Sequence, residues 1–278
     1  MSDVITLEGL ARQALAGERS AVEELVRSLQ GDVYALALRM LWNREDAQDA
    51  AQEILIRVLT RLSSFDFRSR LRTWVYRVAV NYLLDMKKSA VERMNLSAER
   101  FGEDLRQGLA DDGPLAHEQS VLVEEVKIGC TLAMLQCLDR PHRLAYILGE
   151  IFDLSGPEAA AALGVDAAVL RKRLERARSE VLDCARSYCG LVSDTAACSC
   201  NRRVPAAVRL GRVNADSPDF AARAVSFDQL RTTVRRVERA RIALELHRSS
   251  QPRASSIDLV RQIITAIETD GARSTATS

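Results

Sequence analysis

The chain has 278 residues, 47% of them hydrophobic and 28% charged, with a formal net charge of +1. That length and apolar content predict more than one domain with real cores, and the balanced charge leaves nucleic-acid binding to local patches. No basic leader and no apolar run of roughly 18 residues occurs, so we expect a cytoplasmic chain without a membrane span; its six cysteines are then expected as thiols or metal ligands rather than disulfides. Aromatics make up only 5%, and alanine-rich segments of 3.6-residue period point to an all-α protein.

A first helical block is expected over residues 7–90. Its turns are marked by Ala16-Gly17-Glu18, by Trp42-Asn43-Arg44 and by a polar loop around Ser63 to Ser69. In DAQDAAQEILIRVLTRL, Ala47, Ala51, Ile54, Leu55, Val58 and Leu62 fall on one side of a helix, while Asp46, Asp49 and Glu53 fall on the other. Such a row of carboxylates serves solubility or meets a partner. After the loop comes LRTWVYRVAVNYLLDMKK, which mixes Trp74, Tyr76, Arg77, Asn81, Tyr82, Lys87 and Lys88. Aromatics stack on unpaired bases, an amide reads a base edge and cations follow the backbone, so this mixture suits single-stranded nucleic acid. Tyr76 and one face of Trp74 fit a protein core equally well.

Residues 91–123 are expected to be a flexible acidic linker. Over residues 97–125, eight acids (Glu99, Glu103, Asp104, Asp111, Asp112, Glu118, Glu124 and Glu125) face only Arg100 and Arg106, among Gly102, Gly108, Gly113 and Pro114. A second helical block follows over 124–185. Within it, Ser155 and Glu158 form a capping-box pattern, with Pro157 tolerated in the first turn. Leu163-Gly164-Val165 breaks that helix, and Asp166 can cap the next. Leu170, Leu174, Ala177 and Val181 give the second helix a buried stripe, leaving Arg171, Lys172, Arg173, Arg176 and Arg178 on other faces. An apolar back and a cationic front joined through a glycine turn are what a DNA-binding helix-turn-helix needs; the plainer alternative is a solvated basic helix in a bundle.

Residues 186–278 form a cysteine-rich extension with a few short amphipathic helices and a GARSTATS end. Cys189, Cys198 and Cys200 lie in YCGLVSDTAACSC, a C-x-C pair with a third thiol able to close on it. Thiolates select zinc, cadmium or copper over hard cations, so these three are candidate metal ligands. Cys130 and Cys137, seven apart among Leu and Met, share a helix face and read as core when taken alone; Cys184 sits inside a predicted helix. No GxxxxGK or HExxH pattern occurs, and His117, His142 and His247 are scattered, so no catalytic residues are expected.

Two helical blocks about an acidic linker, DAQDAAQE, TWVYRVAVNYLLD and LSGPEAAAALGV…RKRLERAR together resemble the bacterial extracytoplasmic-function (ECF) sigma factors of the sigma-70 family, over about residues 8–185. The resemblance implies two helical sigma domains, regions 2 and 4, joined by a linker. It implies that Asp46, Asp49, Gln52 and Glu53 face the β′ clamp helices of core RNA polymerase. Region 2 (Trp74, Arg77, Asn81, Lys87, Lys88) would read the promoter −10 element, with Asn81 lining a flipped-base pocket. Region 4 (Arg171, Lys172, Arg173, Arg176, Arg178) would read the −35 element and dock on the β flap. Where the family commonly has Phe-Arg-Gly in the loop, this chain has Phe65-Asp66-Phe67. Cys130-Thr131, MLQCLD, YCGLV and CSC followed by basic residues are further similar to the CorE-like group, whose cysteine-rich C-terminal domain responds to copper or related ions. In that context Cys130, Cys137 and Cys184 become further candidate ligands beside Cys189, Cys198 and Cys200. The resemblance implies a metal-regulated sigma factor that needs no cofactor for its basic activity. Two other readings are a helix-turn-helix regulator that never joins polymerase and a metal-buffering or redox protein. The acidic face and the aromatic helix argue against the first, and the basic helix against the second.

Overall fold

The computed structural model describes residues 6–88, 90–109, 117–216 and 218, with side chains left aside at 90–91 and 117–120. Among the described residues the ordered elements are helical, and none is long and apolar enough to cross a membrane. The chain forms two compact units.

The described part of the first unit comprises residues 6–87 and 155–170. Its helices are α1 (Leu7–Leu15), α2 (Arg19–Leu41), α3 (Arg44–Thr60) and α4 (Leu71–Asp85), together with α9 (Gly156–Leu163). Polar residues set the helix starts: Thr6 caps α1 by accepting from Gly9 N–H at 3.1 Å, and Asn43 caps α3 by accepting from Asp46 N–H at 2.8 Å. Glu8 reaches across from α1 to accept from Leu71 N–H at 2.9 Å, satisfying an otherwise orphaned donor at the start of α4. The core is aliphatic. Leu25, Leu29, Val33 and Leu36 from α2 meet the expected Ala47, Ala51, Ile54, Leu55 and Val58 of α3 and Leu71, Ala79 and Leu83 of α4, all essentially buried. The small buried face of α9, Ala159, Ala160, Ala162 and Leu163, packs on α4.

The second unit comprises 88–154 and 171–216 of the described chain. It holds α5 (Ala90–Arg93), α6 (Ala98–Arg106), α7 (His117–Gln136), α8 (Arg140–Tyr146) with a π turn at Ile147–Ile151, and α11 (Cys200–Arg209). It also takes most of α10 (Ala167–Tyr188), which runs on from the first unit.

The segment expected as a flexible linker is largely helical. Ser97 caps α6, and Phe101 and Leu105, one helical turn apart, are buried at 5% and 4% exposure. The Tyr188 ring lies against Gly102. Two acids of this segment, Glu92 and Asp104, pair with partners far along the sequence. Glu92 binds Arg140 at 2.7 Å and Arg143 at 3.1 Å, and Asp104 binds Arg203 at 2.7 Å and also Arg212. The second block likewise starts earlier than residue 124, because α7 begins at His117. Asp111, Asp112, Gly113 and Pro114, and the helices expected over 220–268, lie outside the described residues.

Candidate nucleic-acid, polymerase and thiol sites

On α3, Asp46 and Asp49 are exposed and Gln52 and Glu53 half-buried, all opposite the buried alanine–aliphatic stripe. Glu53 accepts from Arg57 Nε at 2.7 Å, and the Arg57 guanidinium stacks 4.5 Å over the Tyr82 ring. The outward carboxylates are therefore Asp46 and Asp49, while Glu53 also braces the α3–α4 seam.

The α4 helix separates the residues that composition left mixed. Arg77, Asn81, Lys87 and Lys88 are exposed, and Trp74 is half-buried. Tyr76 is core: it is 3% exposed and its hydroxyl bonds Asp32. Burial and the Asp32 carboxylate push its phenol far above the ordinary range, so it stays neutral. Trp74 packs 5.6 Å from Phe65, which lies 4.6 Å from Phe67, and Arg12 covers the Phe67 ring at 4.6 Å. Phe67 itself takes a left-handed backbone, φ 57°. The loop thus keeps the conformation that favours glycine, with an aromatic and cationic stack in its place.

The helix-turn-helix is built as its residues dictate. Ser155 and Glu158 form the capping box, with Ser155 N–H donating to the Glu158 carboxylate at 3.1 Å. Gly164 closes α9 at φ 64°, a conformation that costs a side chain energy but not glycine. On α10, Leu170, Ala177 and Val181 are buried, and Leu174 packs on Gly149. Arg171, Lys172, Arg176 and Arg178 are exposed and Arg173 half-buried. Arg176 donates to Glu180 at 2.7 Å, and Arg178 donates through Nε to Glu150 at 2.7 Å. Arg171, Lys172 and Arg173 have no such ion pair among the described residues. The cationic front is therefore concentrated at 171–173.

The cysteines divide into two groups that spacing alone does not reveal. Cys130 from α7, Cys189 at the end of α10, and Cys198 and Cys200 at the start of α11 line one cavity of about 20 Å3, together with Leu105, Val126 and Arg203. Gly190 N–H donates to the Cys198 carbonyl at 2.8 Å, and that oxygen lies where a Cβ on residue 190 would be, so only glycine lets the two arms of the loop close. Below the thiols, Val123, Val126, Cys200, Val204, Ala207 and Val213 form a small core between α7 and α11. Arg203, 3% exposed, clamps α11 to α6: it donates to the carbonyls of Asp104 and Gln107, each at 2.7 Å, besides the Asp104 carboxylate. Burial pushes all four thiols up, Cys198 to about 11. They are neutral thiols at neutral pH. Among the described residues no group of three or more His, Cys, Asp or Glu side chains is placed so that it could hold a metal ion as it stands. Cys137 and Cys184 do not line this cavity.

Residues 25–92 match the sigma-70 region 2 family. The RNA polymerase sigma factor NccH of Alcaligenes xylosoxydans xylosoxydans is 32% identical over 182 residues, covering 65% of this chain and 95% of that protein. The chain belongs to the ECF sigma factors of the sigma-70 family. A second sigma factor, CnrH of Cupriavidus metallidurans, is 31% identical over 176 residues, covering 62% of this chain and 90% of that protein. The ECF sigma factor SigW of Bacillus subtilis is 29% identical over 170 residues, 60% of this chain and 90% of that protein. Sigma factors are not enzymes: they partner core RNA polymerase and promoter DNA. Each of these matches leaves more than a third of this ECF sigma factor uncovered.

Proposed function

We propose that this chain is a cytoplasmic ECF sigma factor regulated by a metal ion held between its second helical block and its own cysteine-rich extension. The observation that carries the reading is the convergence of Cys130, Cys189, Cys198 and Cys200 on one cavity. Its volume suits one water-sized guest, and a donor set of four sulfurs suits a soft ion: zinc, cadmium or copper. Metal uptake must displace protons from buried thiols, so affinity rises with pH. It must also draw the four sulfurs inward, and only a preference of the ion for the closed arrangement can shift the protein's state. Arg203 lies at the cavity and grips α6, so closure is felt in the segment between the two sigma blocks. Asp46 and Asp49 are proposed to meet the β′ clamp helices, with Gln52 and Glu53 beside them. The face of Trp74, Arg77, Asn81, Lys87 and Lys88 takes the −10 element. The basic front of α10 takes the −35 element, and the block around it the β flap.

The test is a metal titration of the purified reduced chain with Zn(II), Cd(II) and Cu(I) against a chromogenic competitor. One ion per chain is expected, abolished in a variant with Cys130, Cys189, Cys198 and Cys200 all replaced by alanine and retained when Cys137 and Cys184 are replaced. Equal binding by the first variant would refute the assignment.

A further inference from the structure

The first helix of the helix-turn-helix does not stand free of the first block: α9 packs on α4. Two polar contacts frame the seam. Arg70, the N-cap residue of α4, places Nη1 3.2 Å from the carboxylate of Glu158 in the first turn of α9. At the other end of α9, the position of a Cβ on Gly164 lies 3.9 Å from Arg77 Nη2. The Arg77 guanidinium thus stands beside the C-terminus of α9, where the helix dipole favours a cation. Between these anchors α9 buries Ala159, Ala160, Ala162 and Leu163. Packed helix axes lie roughly 8–10 Å apart, toward the short end where side chains are small.

Both anchors on α4 belong to one stripe. Arg70, Trp74, Arg77 and Asn81 recur at 4, 3 and 4 residues and share a face of the helix. Trp74, Arg77 and Asn81 are the residues proposed for the −10 element. Past the Gly164 turn comes α10, and Arg171, Lys172 and Arg173, proposed for the −35 element, follow Gly164 by seven to nine residues. Nine residues of helix advance about 14 Å. Elements centred at −10 and −35 are about 25 base pairs apart, roughly 85 Å of duplex at 3.4 Å per pair. A duplex of that length is stiff, being far shorter than the persistence length of about 150 base pairs. The two reading surfaces therefore cannot occupy both elements of one promoter while α9 stays on α4.

We propose that the α4–α9 seam is an autoinhibitory latch: the chain is held off its promoter while α9 is docked, and reads both elements only after α9 leaves α4. The inference rests on the assignment of α4 and α10 to the two promoter elements. The latch is weak enough to open. Arg70 is 79% exposed and Glu158 27%, and an exposed pair of this kind shifts an equilibrium by only about fivefold or less. A ligand opens the seam to the extent that it binds the undocked form better. Promoter DNA meets that condition through the separation of its two elements, and a polymerase that presents both surfaces to one promoter must meet it too. Neither α4 nor α9 contains a cysteine, so the latch stands apart from the metal reading.

The experiment locks the seam with a zero-length bond in the full chain. In Arg70→Lys a carbodiimide should join the new amine to the Glu158 carboxylate as an amide, because the reagent couples only groups already in contact. Digestion and mass spectrometry read the link between positions 70 and 158. The link is expected in the free variant. The purified linked chain should still co-purify with core polymerase through α3, yet lose promoter binding by more than about tenfold, the cost of a single mismatched base pair. The unlinked variant, and the wild-type chain treated alike, should bind the promoter normally. Arg70→Lys combined with Glu158→Gln keeps the capping box and should show neither link nor loss. Absence of the link from the free variant would overturn the latch, as would a linked chain that binds the promoter as well as the unlinked one. A wild-type holoenzyme without promoter specificity would refute the promoter assignment itself, and the latch with it.

Discussion

Individual side chains of this sigma factor carry distinct duties that neighbouring residues of the same type do not share. On α10, Arg176 and Arg178 are engaged by Glu180 and Glu150, while Arg171, Lys172 and Arg173 present their charge outward. Replacing any one cation of the 171–173 group by alanine should flatten the salt dependence of promoter binding by about one counterion, because one phosphate then keeps its own. Arg176→Ala should change it less, and Arg178→Ala should lower thermal stability through Glu150. Holoenzyme binding to promoter DNA measured across a salt series checks this; equal slopes for all five alanine variants would contradict it. On α3 the same reasoning singles out Asp46 and Asp49. Asp46→Lys combined with Asp49→Lys should abolish co-purification with core polymerase while leaving helix content unchanged, since exposed charges rarely hold a fold. Glu53→Lys is the poorer probe, because it also frees Arg57 from its place over Tyr82.

At the scale of elements, short-range signals were legible and long-range ones were not. The capping box at Ser155 and the turn at Gly164 act within four residues, so the helix-turn-helix reads directly from the chain. Ser155→Ala should cost about 1 kcal/mol in unfolding experiments. The Ser155 hydroxyl and N–H hold the Glu158 carboxyl below its ordinary 4.5. A lowered folded pKa means this contribution is present above pH 4.5 and disappears as pH falls through the folded value. The stability gap between wild type and Ser155→Ala should therefore close on acidification. The segment over 91–123 misled because its acids and glycines outweighed Phe101 and Leu105, and because the partner of Asp104 lies at Arg203. Tyr76 was undecided until α2 brought Asp32 to its hydroxyl. Among the thiols, Cys189, Cys198 and Cys200 announce themselves by spacing. Cys130 joins them only because α11 packs on α7.

Across the whole molecule, the four cavity thiols lie where α7, α10 and α11 meet, tied by Arg203 to α6. Arg203→Met would remove that clamp and strand the carbonyls of Asp104 and Gln107, while Arg212 still pairs with the Asp104 carboxylate. A destabilisation of roughly 1–3 kcal/mol per stranded carbonyl is expected, with weaker metal binding and faster proteolysis after Tyr188, checked by urea unfolding and limited digestion. Run-off transcription tests most directly whether sigma activity depends on these thiols. Core polymerase with the reduced chain should transcribe from a cognate promoter, at a level that changes with Zn(II), Cd(II), Cu(I) or Cu(II). The variant carrying alanine at Cys130, Cys189, Cys198 and Cys200 should transcribe at one fixed level whatever the ion. A full metal response in that variant, or no promoter-specific transcript from the wild-type chain in any metal state, would contradict the account.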